Sequence, residues 1–231
     1  MNFDDFRNQF ERLLGRLKEY SIIDTGTTVL ETVYPETTFF IEPFRMLCSA
    51  SDKFRFNYML KGLGEGLDME RKMNELYNYV RNEDRAFYVT DCFRKTLLSK
   101  APIACCIMGI ILSDITNGDF DLGQTDVLIM NALMDFTDYD IRNFYEITGG
   151  NFTSVTKEGT QFIDESKFPE EKRRGYDLTI GLCCQTRVMK KGPVLQDDGG
   201  LVMDAIQFDD VSEKLRAYID RAHRQLSYGL N

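Results

Sequence analysis

The sequence predicts a mainly α-helical protein that ends in a small β-hairpin and a closing helix. Apolar side chains recur at three- and four-residue steps through most of the chain, as they do on one face of a helix. The segment 102–113 is apolar on nearly every face, which is typical of a helix surrounded by others. Two extended runs, 194–196 and 201–208, flank the turn sequence Asp197-Asp-Gly-Gly200 and predict the hairpin.

Residues 1–122 are predicted to form a helical bundle, and 21–43 is expected to be irregular. The expected helices, in chain order, are 3–20, 44–48, 54–61, 69–81, 85–99 and 102–113. Pro102 suits the first turn of the last of these. We expect 102–113 to lie at the centre, because its small side chains allow neighbouring helices to approach closely: Ala104, Cys105, Cys106 and Gly109.

Residues 123–231 are predicted to form a second domain. Helices are expected at 126–136 and 138–147, then an inserted loop at 148–172, a third helix at 176–190, the hairpin and a closing helix at 211–226. Thr137 or Asp138 can cap the second helix. This order is typical of a winged helix, a class that mostly binds nucleic acid or proteins. The prediction depends on the long inserted loop folding out of the way.

The charge of the chain is acidic and uneven. Its 231 residues carry a formal net charge of −9, and 43% of them are hydrophobic, enough for a proper core. Residues 1–150 hold 24 acidic and 16 basic side chains, whereas 151–231 hold 13 and 12. A uniformly acidic surface repels phosphates, so a nucleic-acid site requires a local basic face in the C-terminal third.

The cysteines predict buried free thiols. Four of the six form the adjacent pairs Cys105-Cys106 and Cys183-Cys184, which cannot easily bridge each other and do not have the spacing of a zinc site. Free thiols imply a reducing compartment. The acidic N-terminus is not a signal peptide, and the longest apolar run has 12 residues where a bilayer span needs roughly 20. We therefore expect a cytoplasmic protein without membrane contact.

Histidine is too scarce for most nucleophilic catalysis. The single histidine, His223, lies beside Arg221 and Arg224 on the closing helix, on a face that is expected to be solvated. A Ser-His-Asp or Cys-His mechanism would have to use this residue. The sequence therefore favours a non-enzymatic protein, and no cofactor is indicated.

An acidic segment is the candidate for a metal site. Four aspartates surround Asn117-Gly118, and closely spaced carboxylates in a loop can coordinate Ca²⁺ or Mg²⁺. They are Asp114, Asp119, Asp121 and Asp126. The spacing does not fit an EF-hand, which favours a solvated inter-helix loop over a metal site.

The same segment resembles a known family. Asp114-Ile-Thr-Asn-Gly-Asp-Phe-Asp121, followed by Asp126 and the run 128–134, is similar to the acidic inter-helix segment of TerB-like (tellurite-resistance-type) helical proteins. Gln124-Thr125-Asp126 stands where a Glu is more usual in that family. The whole chain also resembles uncharacterised bacterial and prophage helical proteins that end in a winged-helix-like tail. Neither resemblance implies an activity.

Basic residues around the third helix are the candidate nucleic-acid contacts. Six cations and one acid, Asp177, lie between 172 and 191. The cations are Lys172, Arg173, Arg174, Arg187, Lys190 and Lys191. In a DNA-binding winged helix, such cations would contact phosphates while the third helix lies in the major groove. The apolar middle of the helix and Asp197-Asp198 at the wing tip weaken that interpretation.

Three hypotheses follow from the sequence. The first is a non-enzymatic binding or regulatory protein whose winged-helix-like domain contacts a macromolecule, with a protein partner or self-association ahead of DNA. The second is a DNA-binding transcriptional regulator, which requires the six cations to converge on one face. The third is a metal-binding module or metal-dependent enzyme that uses the acidic 114–126 loop.

Overall fold

The molecule is mainly α-helical with one small antiparallel sheet, which confirms the predicted fold class at that level. The computed structural model describes residues 50–64, 69–80, 83–117, 123–156, 161–195 and 201–228. The helices are α1 Ala50–Leu63, α2 Met69–Tyr79, α3 Glu83–Leu98, α4 Pro102–Asn117, α5 Gln124–Asp135, α6 Asp138–Ile147, α7 Glu170–Gln185 and α8 Asp210–Tyr228. The predicted helices 3–20 and 44–48 and the irregular segment 21–43 lie outside the described residues. Every helix within the described ranges is too short or too polar to span a bilayer.

Helix α4 is the centre of the packing, as its composition predicts. Residues 104–113 and Ile115 are buried, and α4 packs against α1, α2 and α3 on one hand and α5, α6 and α8 on the other. A helix that is apolar all round can bury every face only if neighbours surround it. The cysteines of this helix, Cys105 and Cys106, are free and buried, as predicted.

Two glycines set the crossing of α1 and α4. A Cβ atom on Gly62 would lie 2.0 Å from the carbonyl oxygen of Cys106, and one on Gly109 would lie 2.0 Å from that of Met59. Each helix therefore presents a glycine to the backbone of the other. Any side chain at either position would force the two backbones apart.

Helix α8 joins parts of the chain that the sequence assigns to different domains. Its side chains Leu215, Ile219 and Ala222 are buried. It packs against α4 and α1 as well as α5 and α6, and a continuous core cluster extends from Phe56 to Ala222. The domain division at 122/123 stays a prediction, and α8 packs on both sides of it.

The sheet has four antiparallel strands in the order β1-β2-β4-β3. They are β1 Thr153–Val155, β2 Gln161–Ile163, β3 Lys190–Leu195 and β4 Leu201–Gln207. The hairpin β3–β4 forms where the turn sequence predicts it. The edge strand β3 contains Pro193 and an irregular register between Gly192 and Val194, features that discourage further strand pairing.

The segment 148–172 is predicted to be a long inserted loop with some extended structure, and the structure gives it more regular elements than that. It contains the short hairpin β1–β2, a 3₁₀ turn at Glu165–Lys167 and the start of α7. The hairpin forms because β2 pairs with β4, with Ile163 opposite Ile206, a contact distant in sequence. The first two helices of the predicted C-terminal module are confirmed, and Thr137 caps the second through a capping box with Asp140.

The third helix is displaced from its predicted range of 176–190. It begins at Glu170, directly after Pro169, and carries Glu170 and Glu171 in its first turn, where carboxylates favour the helix dipole. It ends at Gln185 because Arg187 adopts a φ of 62°, in the left-handed region that terminates helices. Lys190 then begins strand β3, where it lies opposite Gln207 of β4.

Candidate functional site

Half of the candidate nucleic-acid contacts are already neutralised within the molecule. Three of the six cations form ion pairs: Lys172 with Glu146 at 2.8 Å, Arg173 with Glu170 at 3.4 Å, and Lys190 with Asp209 at 2.7 Å. A cation that is held by a carboxylate contributes less to binding a phosphate, because the carboxylate repels the phosphate.

The other three cations are exposed and do not form one patch. Arg174, Arg187 and Lys191 are exposed and make no ion pair with any described residue. Arg174 lies in the second turn of α7, while Arg187 and Lys191 lie beyond its end. With a rise of 1.5 Å per residue, about 16 Å of helix separates Arg174 from Gln185.

The side of α7 that faces away from the molecule has a regular pattern. Its exposed positions recur at three- and four-residue steps, and we call them the outer face: Glu171, Arg174, Leu178, Gly181 and Gln185. Leu178 is 67% exposed, which makes it one of the most exposed large hydrophobic residues among those described. A Cβ atom on Gly181 would meet nothing within 4 Å. The outer face therefore has a protruding leucine and an open glycine, with two charged residues before them and Gln185 after them.

The opposite side of α7 packs on α6 through polar side chains as well as apolar ones. The Tyr176 hydroxyl donates to Glu146 Oε2 at 2.6 Å, and Lys172 Nζ donates to the same oxygen at 2.8 Å. The Tyr176 ring is buried against Phe152 and Phe168. Glu146 thus joins the start of α7 to the end of α6.

A second set of hydrogen bonds continues this contact towards the start of α6. Asn143 Nδ2 donates to the carbonyl oxygen of Gly175 at 3.3 Å and to Thr179 Oγ1 at 3.1 Å. The Thr179 hydroxyl donates to Asp140 Oδ1 at 3.1 Å. We call the whole contact the polar seam, and its side chains are Asp140, Asn143 and Glu146 of α6 with Lys172, Tyr176 and Thr179 of α7.

The hydrogen bonds of the polar seam change the pKa values of its side chains. Hydrogen bonds from Lys172 and then Tyr176 lower the pKa of Glu146, because both stabilise the carboxylate. Burial, followed by the hydrogen bond to Glu146, raises the pKa of Tyr176. The hydrogen bond to Glu146 also raises the pKa of Lys172. The seam is therefore held by an ionised carboxylate.

The candidate metal ligands that the structure describes have cationic partners. Arg221 makes two hydrogen bonds to Asp114, at 2.6 and 2.7 Å. Lys214 Nζ lies 2.7 Å from Asp126 Oδ1, to which the Tyr218 hydroxyl also donates at 3.0 Å. These partners lie on one side of α8, so the closing helix ties together the two ends of the acidic loop.

Asp119 and Asp121 lie outside the described residues. Within the described ranges, no group of three or more His, Cys, Asp or Glu side chains is placed to hold a metal ion. The metal-site hypothesis stays a prediction, and Asp114 and Asp126 are committed to ion pairs with α8.

Among the described residues, His223 packs against an aromatic ring, and the thiols of Cys92 and Cys105 are buried. His223 lies edge-on to the Tyr145 ring, with 5.4 Å between ring centroids, and the Tyr145 hydroxyl donates to Asp220 at 2.6 Å. Burial raises the pKa of the Cys92 thiol to about 12 and that of Cys105 to about 11. Such thiols stay protonated at neutral pH, and a protonated thiol is a poor nucleophile.

The sequence interpretation missed both the polar seam and the outer face. Asp140, Asn143 and Glu146 recur every three residues, a signal that they share one side of α6. Leu178 and Gly181 lie in a stretch that is largely apolar, so the sequence does not distinguish its exposed side from its buried side. Placing α7 at 176–190 also hid Glu171 and Arg174 from the pattern.

Comparisons with known proteins find no relatives. No family model matches the chain, and neither the curated proteins nor the solved structures contain a match. The resemblance to TerB-like proteins accordingly stays a prediction.

Proposed function

We propose that this chain is a non-enzymatic binding or regulatory protein that contacts another protein through the outer face of α7. The observation that carries the proposal is Leu178, 67% exposed in the middle of a helix whose other side is buried. Burying a leucine side chain contributes roughly 1.5–3 kcal/mol. A partner that covers Leu178 gains this apolar contact, and the charged positions around it supply specificity.

The arrangement around α7 supports a winged-helix-like module. Helix α7, the hairpin β3–β4 and α8 follow one another in the order such a module requires. The short hairpin β1–β2 extends the sheet from β4, so the segment before α7 does not cover the outer face residues, which stay exposed. The proposal makes α7 the contact helix, held against α6.

The charges favour a protein over DNA. Arg174 is the only cation of the outer face, and Glu171 and Asp177 are exposed near it on the same helix. A major-groove helix needs several cations and base-reading side chains, since phosphate contacts dominate its affinity. A protein partner tolerates mixed charge. The buried free thiols favour a cytoplasmic location, which we include in the proposal.

Affinity capture from the native host tests the proposal. The bait is the full chain, compared with the variants Leu178→Asp and Leu98→Asp. Leu98 is the matched control, because it is also an exposed helical leucine, at 56%, but lies on α3. We expect at least one protein other than this chain to be captured by the wild type and by Leu98→Asp, and lost with Leu178→Asp. Equal capture by all three baits would contradict the proposal.

DNA binding remains the second candidate, because Arg174, Arg187 and Lys191 are exposed and carry no ion pair with a described residue. A fluorescence-anisotropy titration against a random duplex at low salt tests it. Binding that weakens steeply with salt and is reduced by Arg187→Ala would support a DNA-binding regulator. We expect no binding at physiological salt.

A further inference from the structure

Opposite charges lie near the two ends of α7. Glu171 lies in the first turn, and Arg187 lies just beyond the last. Both are exposed, and neither forms an ion pair with any described residue. An antiparallel neighbour with the same sequence would place its Arg187 beside Glu171 and its Glu171 beside Arg187. The charge pattern is therefore complementary to itself in the antiparallel direction.

The apolar centre of the outer face has the same symmetry. When Leu178 is placed opposite the partner's Gly181, the partner's Leu178 lies opposite Gly181. This register brings Arg174 level with the partner's Gln185, since both helices rise equally per residue. Arg187 lies two residues beyond the end of α7, at the end of the pair where the partner's Glu171 lies. Gly181 has open space around its Cα, so a leucine from outside can approach the backbone closely.

We propose that a second copy of this chain docks on the outer face of α7, as an antiparallel helix pair around a two-fold axis. In this pair Leu178 packs on the partner's Gly181, and Glu171 pairs with the partner's Arg187. The inference rests on the proposed function, because the second copy would use the face that is assigned there to protein contact. Such isologous contacts are the usual form of homodimers.

Sedimentation velocity of the purified full chain tests the proposal, over concentrations from low micromolar to several hundred micromolar. We expect a concentration-dependent dimer for the wild type and for Leu98→Asp, and a monomer for Leu178→Asp. A wild type that stays monomeric throughout, or a dimer that Leu178→Asp leaves intact, would overturn the second-copy proposal. Neither result affects the proposed function, because the capture experiment scores only proteins other than this chain.

Charge reversal tests the register. Glu171→Lys and Arg187→Glu should each weaken the homodimer about tenfold, since two symmetric pairs turn from attraction to repulsion. Mixing the two variants makes both pairs opposite in sign within one heterodimer, so the mixture should recover wild-type affinity. Circular dichroism confirms that each variant is folded. A mixture that associates no more tightly than either variant by itself would overturn the antiparallel register.

Discussion

Two helix contacts in this molecule are built in opposite ways. Where α1 crosses α4, Gly62 and Gly109 let the backbones touch, and the surroundings are fully buried and apolar. Where α6 meets α7, the polar seam joins the helices through hydrogen bonds and the Glu146–Lys172 ion pair. The first contact depends on shape, and the second on partners that water, salt and protons can compete for.

The difference indicates how the molecule divides its roles. The crossing of α1 and α4 leaves no room for a side-chain atom at Gly62 or Gly109, and it fixes the centre of the fold. The polar seam holds α7 against α6 by one side while the outer face stays open to solvent. Substitutions that distinguish the two contacts should differ in size, sign and pH dependence.

The largest effect is expected from Gly109→Ala. The added methyl would overlap the carbonyl of Met59, and the backbones of α1 and α4 would have to separate. We expect a loss of about 3 kcal/mol in the free energy of unfolding, measured by urea denaturation. Gly62→Ala should behave alike, because its methyl would overlap the carbonyl of Cys106. If these glycine variants lose less unfolding free energy than Tyr176→Phe does, the proposed difference between the α1–α4 contact and the polar seam is refuted.

Removing one hydroxyl from the polar seam should have a smaller effect. Tyr176→Phe keeps the ring that packs on Phe152 and Phe168 but removes the donor to Glu146. A hydrogen bond to a charged acceptor contributes about 1.5–3 kcal/mol, and Lys172 continues to satisfy Glu146, so we expect a loss near the lower limit. The same urea titration measures it. An unchanged free energy would mean that the hydroxyl bond does not hold the seam.

A third glycine should respond with the opposite sign. Gly181 lies in the exposed part of α7, and a Cβ atom there meets nothing. Gly181→Ala should raise the free energy of unfolding by about 0.5–1 kcal/mol, because alanine restricts the unfolded chain and favours helix. Differential scanning calorimetry at low protein concentration checks the sign. A loss of stability would show that α7 is packed on this side too.

The smallest effect is the pH dependence of the seam. The pKa of Glu146 is lowered in the folded chain, so its carboxylate contributes stability above the unfolded pKa of about 4.3. That stability is lost as the pH falls through the lowered folded pKa. The unfolding free energies of the wild type and Glu146→Gln should differ by a few tenths of a kcal/mol at neutral pH and converge in acid. If the difference in unfolding free energy between the two proteins does not change with pH, titration of Glu146 is not the cause of that difference.

Features that depend on local pattern were predictable from the sequence. The run 102–113 is apolar on all faces, so its central position follows without knowledge of its neighbours. A cap for α6 at Thr137 or Asp138 follows from the sequence, and the structure shows that Thr137 is the cap. The turn Asp197-Asp-Gly-Gly200 likewise locates the hairpin β3–β4.

Features that depend on remote partners were not predictable. Strand β2 has three residues and forms because it pairs with Gln207 and Ile206 of β4. Lys172 and Lys190 resemble phosphate contacts in the sequence, but Glu146 and Asp209 neutralise them from elsewhere in the fold. The exposure of Leu178 became evident only once the buried side of α7 was known.

Native-state hydrogen exchange of the dilute protein, at fixed pH in low denaturant, tests the central claim that the two contacts differ in kind. The account predicts that amides of α4 exchange only through global unfolding, whereas those of α7 open at a clearly lower free energy, because α7 is attached through the polar seam. Tyr176→Phe should lower the opening free energy of α7 and leave that of α4 less affected. Equal opening free energies for α4 and α7 would contradict the account.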